Sequence, residues 1–260
     1  MSQDPYDLIA DEYDEKIHSG YREKIQDSII FHHLDKQLTK KRLQILDAGG
    51  GTGHYSLPYA AKGHHVTILD RSSGMLRVAE RKIGELGLDT NTRLVHGDIQ
   101  RTPINDDSFD AVFCHITLCH VEDPSKALSE LSRLLRDGGL LSLVVENKAF
   151  FAVSSAFRGN LDEALERSVG GKLVLELEGL GKVRTFESEE LLHMLRDVNM
   201  KPLKVLGLRA VCDYLYIVER RSPDDIDSLR ELEFSLSEDP SWSHVARFHF
   251  ILSQKLAPRV

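Results

Sequence analysis

The stretch Asp47-Ala-Gly-Gly-Gly-Thr-Gly53 sets an acid and three glycines at D-x-G-x-G-x-G spacing, between an apolar run and a helix-like segment. Glycines let a ligand lie against bare backbone, and the N-terminus of the following helix favours an anion. Asp70 ends the next apolar run, where a carboxylate can accept hydrogen bonds from both hydroxyls of a ribose. Two rival readings of the loop fail. A dinucleotide fingerprint, G-x-G-x-x-G, would need glycine at His54 or Ser56, and a phosphate loop would need Ser or Thr after Gly-Lys, where Leu173 and Val183 stand. The implied ligand has a ribose and a carboxylate and requires no phosphate.

Other residues invite chemistry less directly. Arg209 leaves an apolar strand next to an insert, and its planar fork suits a carboxylate; a structural pair with one of the nearby acids is the alternative. Asp213 and Tyr214 follow in the same loop and are candidates to touch a substrate. The segment Cys114-His-Ile-Thr-Leu-Cys-His120 holds two Cys-His pairs. Structural zinc favours closely paired ligands, and neighbours on a buried strand face opposite ways, so no metal site is expected there. Cys114 reads as core, and His120 as a partly buried histidine or a general base. The pairs His32-His33 and His64-His65 read as element ends, and Met75 and Leu76 as core.

These residues need a scaffold of alternating strands and helices. Strands are expected at 43–48, 65–70, 92–98, 109–115, 140–147, 202–210 and 247–255, and helices at 4–18, 21–38, 54–62, 72–86, 124–139 and 188–200. Such alternation calls for a mostly parallel, Rossmann-like seven-stranded sheet with helices on both faces and a ligand at the carboxyl ends of the strands. Residues 1–260 read as one domain, with an N-terminal helical cap over 1–40, a helical lid insert over 148–183, and a helical insert over 211–246 between the last two strands. Late strands at one edge are often antiparallel.

Composition narrows the class. With 33 basic and 41 acidic residues and a net charge of -8, a broad nucleic-acid-binding surface is not expected, although a local basic pocket is compatible. Three cysteines make no paired framework. The start lacks the order of a signal peptide, and no run reaches the ~18 apolar residues of a membrane span, so a cytoplasmic protein with no membrane partner is expected.

In their order, "DAGGGTG", "ILD", "GDIQRTPINDDSFDAV" and "HVEDPSKALSELSRLLRDGG" resemble the class I S-adenosylmethionine-dependent methyltransferases, over about residues 40–150. The resemblance implies S-adenosyl-L-methionine as cofactor, bound by Gly49, Gly50, Gly51, Asp70 and Arg71. Asp98 and Ile99 would hold the adenine through a carboxylate and a backbone amide, and His115 would offer a strand-end carbonyl near the methionine arm. Tyr13 resembles the aromatic that closes the cofactor pocket, a core role being the alternative. More narrowly, "YDLIADEYDEKI", "IIFHHLD", "GNLD", "GLRAVCDYL" and the late "LRELE" with "RFHF" are similar to the tRNA 5-carboxymethoxyuridine methyltransferase family along nearly the whole chain. That resemblance implies methyl-ester formation on a modified wobble uridine, with tRNA as partner; the fork of Arg209 and the neighbouring Tyr214 are the candidate catalytic groups for such an acceptor. Two departures stand out. Gln26, with Arg22 and Lys24 nearby, occupies the place of the family's cofactor-binding arginine, and the lysine-rich lid is missing, since 166–184 reads "ERSVGGKLVLELEGLGKVR". A small-molecule O- or N-methyltransferase and a noncatalytic cofactor-binding partner of another enzyme remain the alternatives.

Overall fold

A computed structural model describes residues 4–169, 174–177, 181–215 and 223–257. Its strands are β1 (Gln44–Ala48), β2 (His65–Asp70), β3 (Thr92–His96), β4 (Phe109–His115), β5 (Leu135–Glu146), β6 (Val174–Leu177), β7 (Gly181–Arg184), β8 (Met200–Leu208) and β9 (Phe248–Lys255). Its helices are α1 (Tyr13–His18), α2 (Tyr21–Gln37), α3 (Leu57–Ala61), α4 (Ser73–Leu86), α5 (Pro124–Leu134), α6 (Lys148–Phe157), α7 (Leu161–Val169), α8 (Ser188–Asp197), α9 (Pro223–Ser237) and α10 (Pro240–Ser243).

Seven strands form one sheet in the order β3-β2-β1-β4-β5-β9-β8. The first five pair in parallel, and β9 runs antiparallel to both its neighbours. The reversed strand therefore lies inside the sheet, and β8, the edge strand, points the same way as β5. The last strand returns as the second arm of a wide hairpin and slots in beside β5.

Apolar residues alternate between the faces because successive strand side chains point opposite ways. Ile45, Ala111 and Phe113 join α2, α3 and α4 in one core, whereas Leu46, Val112 and Cys114 join α5 and α8 in the other. Both faces are thereby covered. No described helix is long and apolar enough to cross a membrane.

Several boundaries move from the sequence expectation. Residues 4–18 form two short 3-10 turns, Pro5–Leu8 and Ala10–Glu12, before α1. Asp7 explains the interruption, since its carboxylate accepts from Ser72 Oγ at 2.6 Å and Gly74 N at 2.7 Å and so docks this segment on the start of α4. The helix expected to reach 139 ends at Leu134, because Leu135 turns extended and pairs with Phe109. The insert after β5 combines α6 and α7 with the β6–β7 hairpin, so it is not purely helical; its residues 170–173 and 178–180 lie outside the described residues, as do 216–222 of the later insert.

Candidate active site

The carboxyl ends of β1 to β4 border a cleft, the edge at which open α/β sheets bind their ligands. Of the nine residues expected to hold the cofactor, Tyr13, Gly49, Gly51, Asp70, Arg71, Asp98, Ile99 and His115 line it. Gly50 does not. It packs on Asp47, where a β-carbon would come within 2.5 Å of the carboxyl carbon. The acid that opens the motif is itself interior, and burial lifts its pKa to about 6.

Gly51 has φ +54 and lines the cleft, and a β-carbon there would meet only Met75 Sδ, at 4.0 Å. The missing side chain leaves space for a ligand against the backbone. Asp70 is fixed from both sides: Oδ2 accepts from Gly51 N at 2.9 Å and Oδ1 from Ser72 N at 2.8 Å. Each oxygen keeps a second lone pair for a hydroxyl. Burial raises its pKa, which these two amide bonds oppose.

Strand order lays the polar groups out in sequence. Asp98 follows β3, Asp70 ends β2, Gly49 follows β1 and His115 ends β4, and neighbouring strands are ~4.8 Å apart. An elongated ligand can thus cross four strand ends. At one end the exposed Asp98 carboxylate accepts from Gln100 N at 2.8 Å and from Gln100 Nε2 at 3.0 and 3.2 Å. At the other, His115 Nε2 meets Ser142 Oγ at 2.8 Å, whereas Nδ1 and the buried Gln26 Oε1 have no hydrogen-bond partner among the described residues. Burial pushes the His115 pKa down to about 3, so the ring is neutral. With Nε2 donating to Ser142, His115 Nδ1 is an acceptor at the cleft wall, which fits the ammonium of a methionine arm, whereas Gln26 is not among the lining residues.

The N-terminal segment closes over this row. Tyr6 and Tyr13 line the cleft with ring centroids 6.1 Å apart, and Tyr6 OH lies 3.3 Å from His120 Nε2. Arg71 Nε pairs with Asp4 at 2.7 Å. Tyr6, Met75, Gly97, Ile116, Thr117, His120 and Val121 also line the cleft, beyond the residues that the sequence marks for the cofactor. For Tyr6 a signal existed in its place ahead of Tyr13, on a segment with an acid that could cap α4. Thr117 gave none, because its hydroxyl contact with Gly49 O at 3.2 Å depends on the tertiary fold.

Gly74 tests this strap. A β-carbon there would lie 2.9 Å from Asp7 Cα, a backbone atom that must move. Gly74→Ala is expected to loosen the Asp7 anchor and weaken cofactor binding roughly tenfold (~1–2 kcal/mol), read by calorimetry. Unchanged affinity would detach the strap from cofactor retention.

Arg209 lies elsewhere, at the end of β8. Nη1 pairs with Glu23 at 2.8 Å and Nη2 with Asp213 at 2.5 Å, so its fork is already engaged. It does not line the cleft. Tyr214 OH donates to Val245 O at 2.5 Å, and its ring packs on Phe150 and Phe157. Cys114 and Cys119 are buried free thiols.

Comparison with known proteins agrees with this geometry. A family described as methyltransferase domain matches residues 46–143. The chain is 25% identical to the tRNA 5-carboxymethoxyuridine methyltransferase of Escherichia coli K12, over 98% of this chain and 97% of that protein. It is 28% identical to the malonyl-acyl-carrier-protein O-methyltransferase of Pectobacterium atrosepticum, over 82% and 70%. Among solved structures, the 4+2 cyclase SpnF superposes with a TM-score of 0.68 at 20% identity, over 97% of this chain and 94% of that one; that likeness concerns the fold. With the glycine loop, Asp70 and the strand-end cleft in place, the chain is a class I S-adenosylmethionine-dependent methyltransferase.

Proposed function

We propose that the enzyme methylates a carboxylate, and that this carboxylate is carried on a modified wobble uridine of tRNA in the cytoplasm. The observation that carries the reading is a knot of three arginines at the carboxyl ends of β5 and β8. Around Asp213 stand Arg209 at 2.5 Å, Arg22 at 3.7 Å and Arg247 at 3.9 Å, and Arg247 also pairs with the buried Glu146 at 3.1 Å. The Nε atoms of Arg209 and Arg247 are buried and have no hydrogen-bond partner among the described residues. Asp213 Oδ2, 3.9 Å from Arg247 Nε, and Glu146 Oε2 also lack hydrogen-bond partners among the described residues, so the knot is incompletely satisfied as it stands, and guanidinium forks suit a carboxylate.

A carboxylate is already anionic at neutral pH and needs alignment more than a base. S-adenosylmethionine supplies a sulfonium-activated methyl group. The chain's part is to fix the donor through the glycine loop and Asp70, to hold the acceptor oxygens on guanidinium groups, and to keep water out. Phe150 and Tyr214, with ring centroids 5.4 Å apart, form an apolar wall beside the arginines. Two relatives support the reading, since the names 5-carboxymethoxyuridine and malonyl both specify carboxyl-bearing acceptors. The net charge of -8 favours the second reading, a small-molecule O- or N-methyltransferase. Transfer of labelled methyl groups into total tRNA and into a small-molecule extract, side by side, separates them. Label in tRNA alone is expected, and label confined to the extract would overturn the tRNA assignment.

A further inference from the structure

Resting on the cofactor reading above, we propose that the methionine carboxylate of the cofactor is received by the stacked imidazoles of His18 and His54, which take up a proton from solvent on binding. The row of strand ends places the adenine side at Asp98, the ribose at Asp70 and the methionine arm beyond Gly49 and His115. A positive charge at that end would strengthen the hold on a carboxylate beyond what backbone N–H groups supply. Arg71, the one arginine or lysine of the described lining, sits beside Asp70 and pairs with Asp4, and Gln26 is neutral. Behind two of the lining residues, Tyr13 and His115, stands a ring cluster whose histidines are not themselves part of the lining. His18 and His54 stack with centroids 3.6 Å apart and planes 11° from parallel. His18 meets the edges of Tyr13 and Tyr55 at 5.8 and 5.9 Å, and Tyr55 meets His115 at 4.6 Å. Both histidines are half-buried, so an anion can reach them.

The charged groups around the stack allow one added proton. Asp27 Oδ2 lies 2.7 Å from His54 Nε2, and Asp27 Oδ1 accepts from Tyr55 OH at 2.8 Å. Asp14 is taken by Lys82 Nζ at 2.8 Å and Thr52 Oγ1 at 2.6 Å. Burial and the neighbouring His54 hold the His18 pKa down to about 4. The ring is therefore neutral in the free protein, and an arriving anion favours its charged form. Because the bound state carries the extra proton, affinity is greatest at low pH and falls as pH rises through the bound-state pKa. Asp14, His18 and His54 also come close enough to suggest a metal ion. Two features oppose it: Lys82 occupies Asp14, and parallel rings carry their lone pairs side by side without converging on one point.

The test compares two ligands on the wild-type enzyme by calorimetry. S-adenosylhomocysteine carries the carboxylate, and 5′-methylthioadenosine shares its adenosine and sulfur without it. From about pH 5.5 to 7.5, S-adenosylhomocysteine affinity is expected to fall by up to about tenfold per unit, with net proton uptake revealed by buffers of different ionisation enthalpy. Methylthioadenosine should show neither. His18→Gln and His54→Gln should each weaken S-adenosylhomocysteine roughly five- to tenfold near pH 6, the scale of one hydrogen bond, and flatten its pH profile while leaving methylthioadenosine unchanged. A flat profile without proton uptake in the wild type would overturn the proposal, as would loss of binding on treatment with EDTA, which would assign the cluster to a metal. Failure of both ligands to bind would instead remove the cofactor placement on which it stands.

Discussion

Asp70→Ala is expected to weaken S-adenosylmethionine binding by roughly 10- to 100-fold, the ~1.5–3 kcal/mol of hydrogen bonds to a charged group. The carboxylate does two things at once. It holds Gly51 N and Ser72 N, at 2.9 and 2.8 Å, and it offers its remaining lone pairs to the ribose hydroxyls. Alanine removes the ribose acceptor and also frees the loop backbone. Asp70→Asn separates the effects, because an amide oxygen can still accept from one backbone N–H while the charge is lost, so its affinity should lie between the other two. Calorimetry measures all three, with urea midpoints to confirm folding. Equal affinity in Asp70→Ala would mean that the ribose lies elsewhere.

The second large effect concerns Arg209. At saturating cofactor, Arg209→Lys is expected to depress kcat/KM for the acceptor roughly 10- to 100-fold (~1.5–3 kcal/mol), with cofactor affinity nearly unchanged because Arg209 lies outside the cofactor cleft. One ammonium cannot span Glu23 and Asp213 and also present a third donor, as the guanidinium does. The residue also adopts φ +62, a left-handed conformation that costs a non-glycine residue ~1–2 kcal/mol and is retained where the surroundings enforce it. Arg209→Met should go further and lower folding stability by ~3–5 kcal/mol, since it strands the buried Asp213 without its closest cation. His120→Ala is the contrast. Its ring lies 3.3 Å from Tyr6 OH in the cofactor cleft, and a carboxylate acceptor asks for no base, so most turnover should remain. A His120→Ala enzyme more damaged than Arg209→Lys would favour an acceptor that must be deprotonated.

What the sequence made legible was local in origin. The glycine loop and Asp70 could be read because backbone freedom and a strand-end acid are properties of a few consecutive residues, and both line the cleft. Strand positions followed from apolar runs, though the end of α5 shifted because Leu135 pairs with Phe109 across the sheet. Residues placed only by long-range contact were harder. Arg209 could be seen as a carboxylate partner, but the sequence does not reveal that Glu23, far away on α2, already occupies one arm of its fork. Ile116, at φ +62, and Thr117 enter the cleft through the turn after β4, and no spacing rule marks such a turn. The stack of His18 on His54 likewise requires α1 to fold over the loop. Periodicity along one segment carries no information about that closure.

The most direct test of a carboxylate acceptor is the bond that the enzyme makes. Acceptor labelled with S-adenosyl-[methyl-3H]methionine by the wild-type enzyme would be treated with mild alkali, and the released radioactivity collected as volatile methanol. A methyl ester hydrolyses under these conditions, so the arginine knot predicts near-complete release. Label that stays on the product after alkali would show an ether, amine or carbon-bound methyl group and would contradict the account.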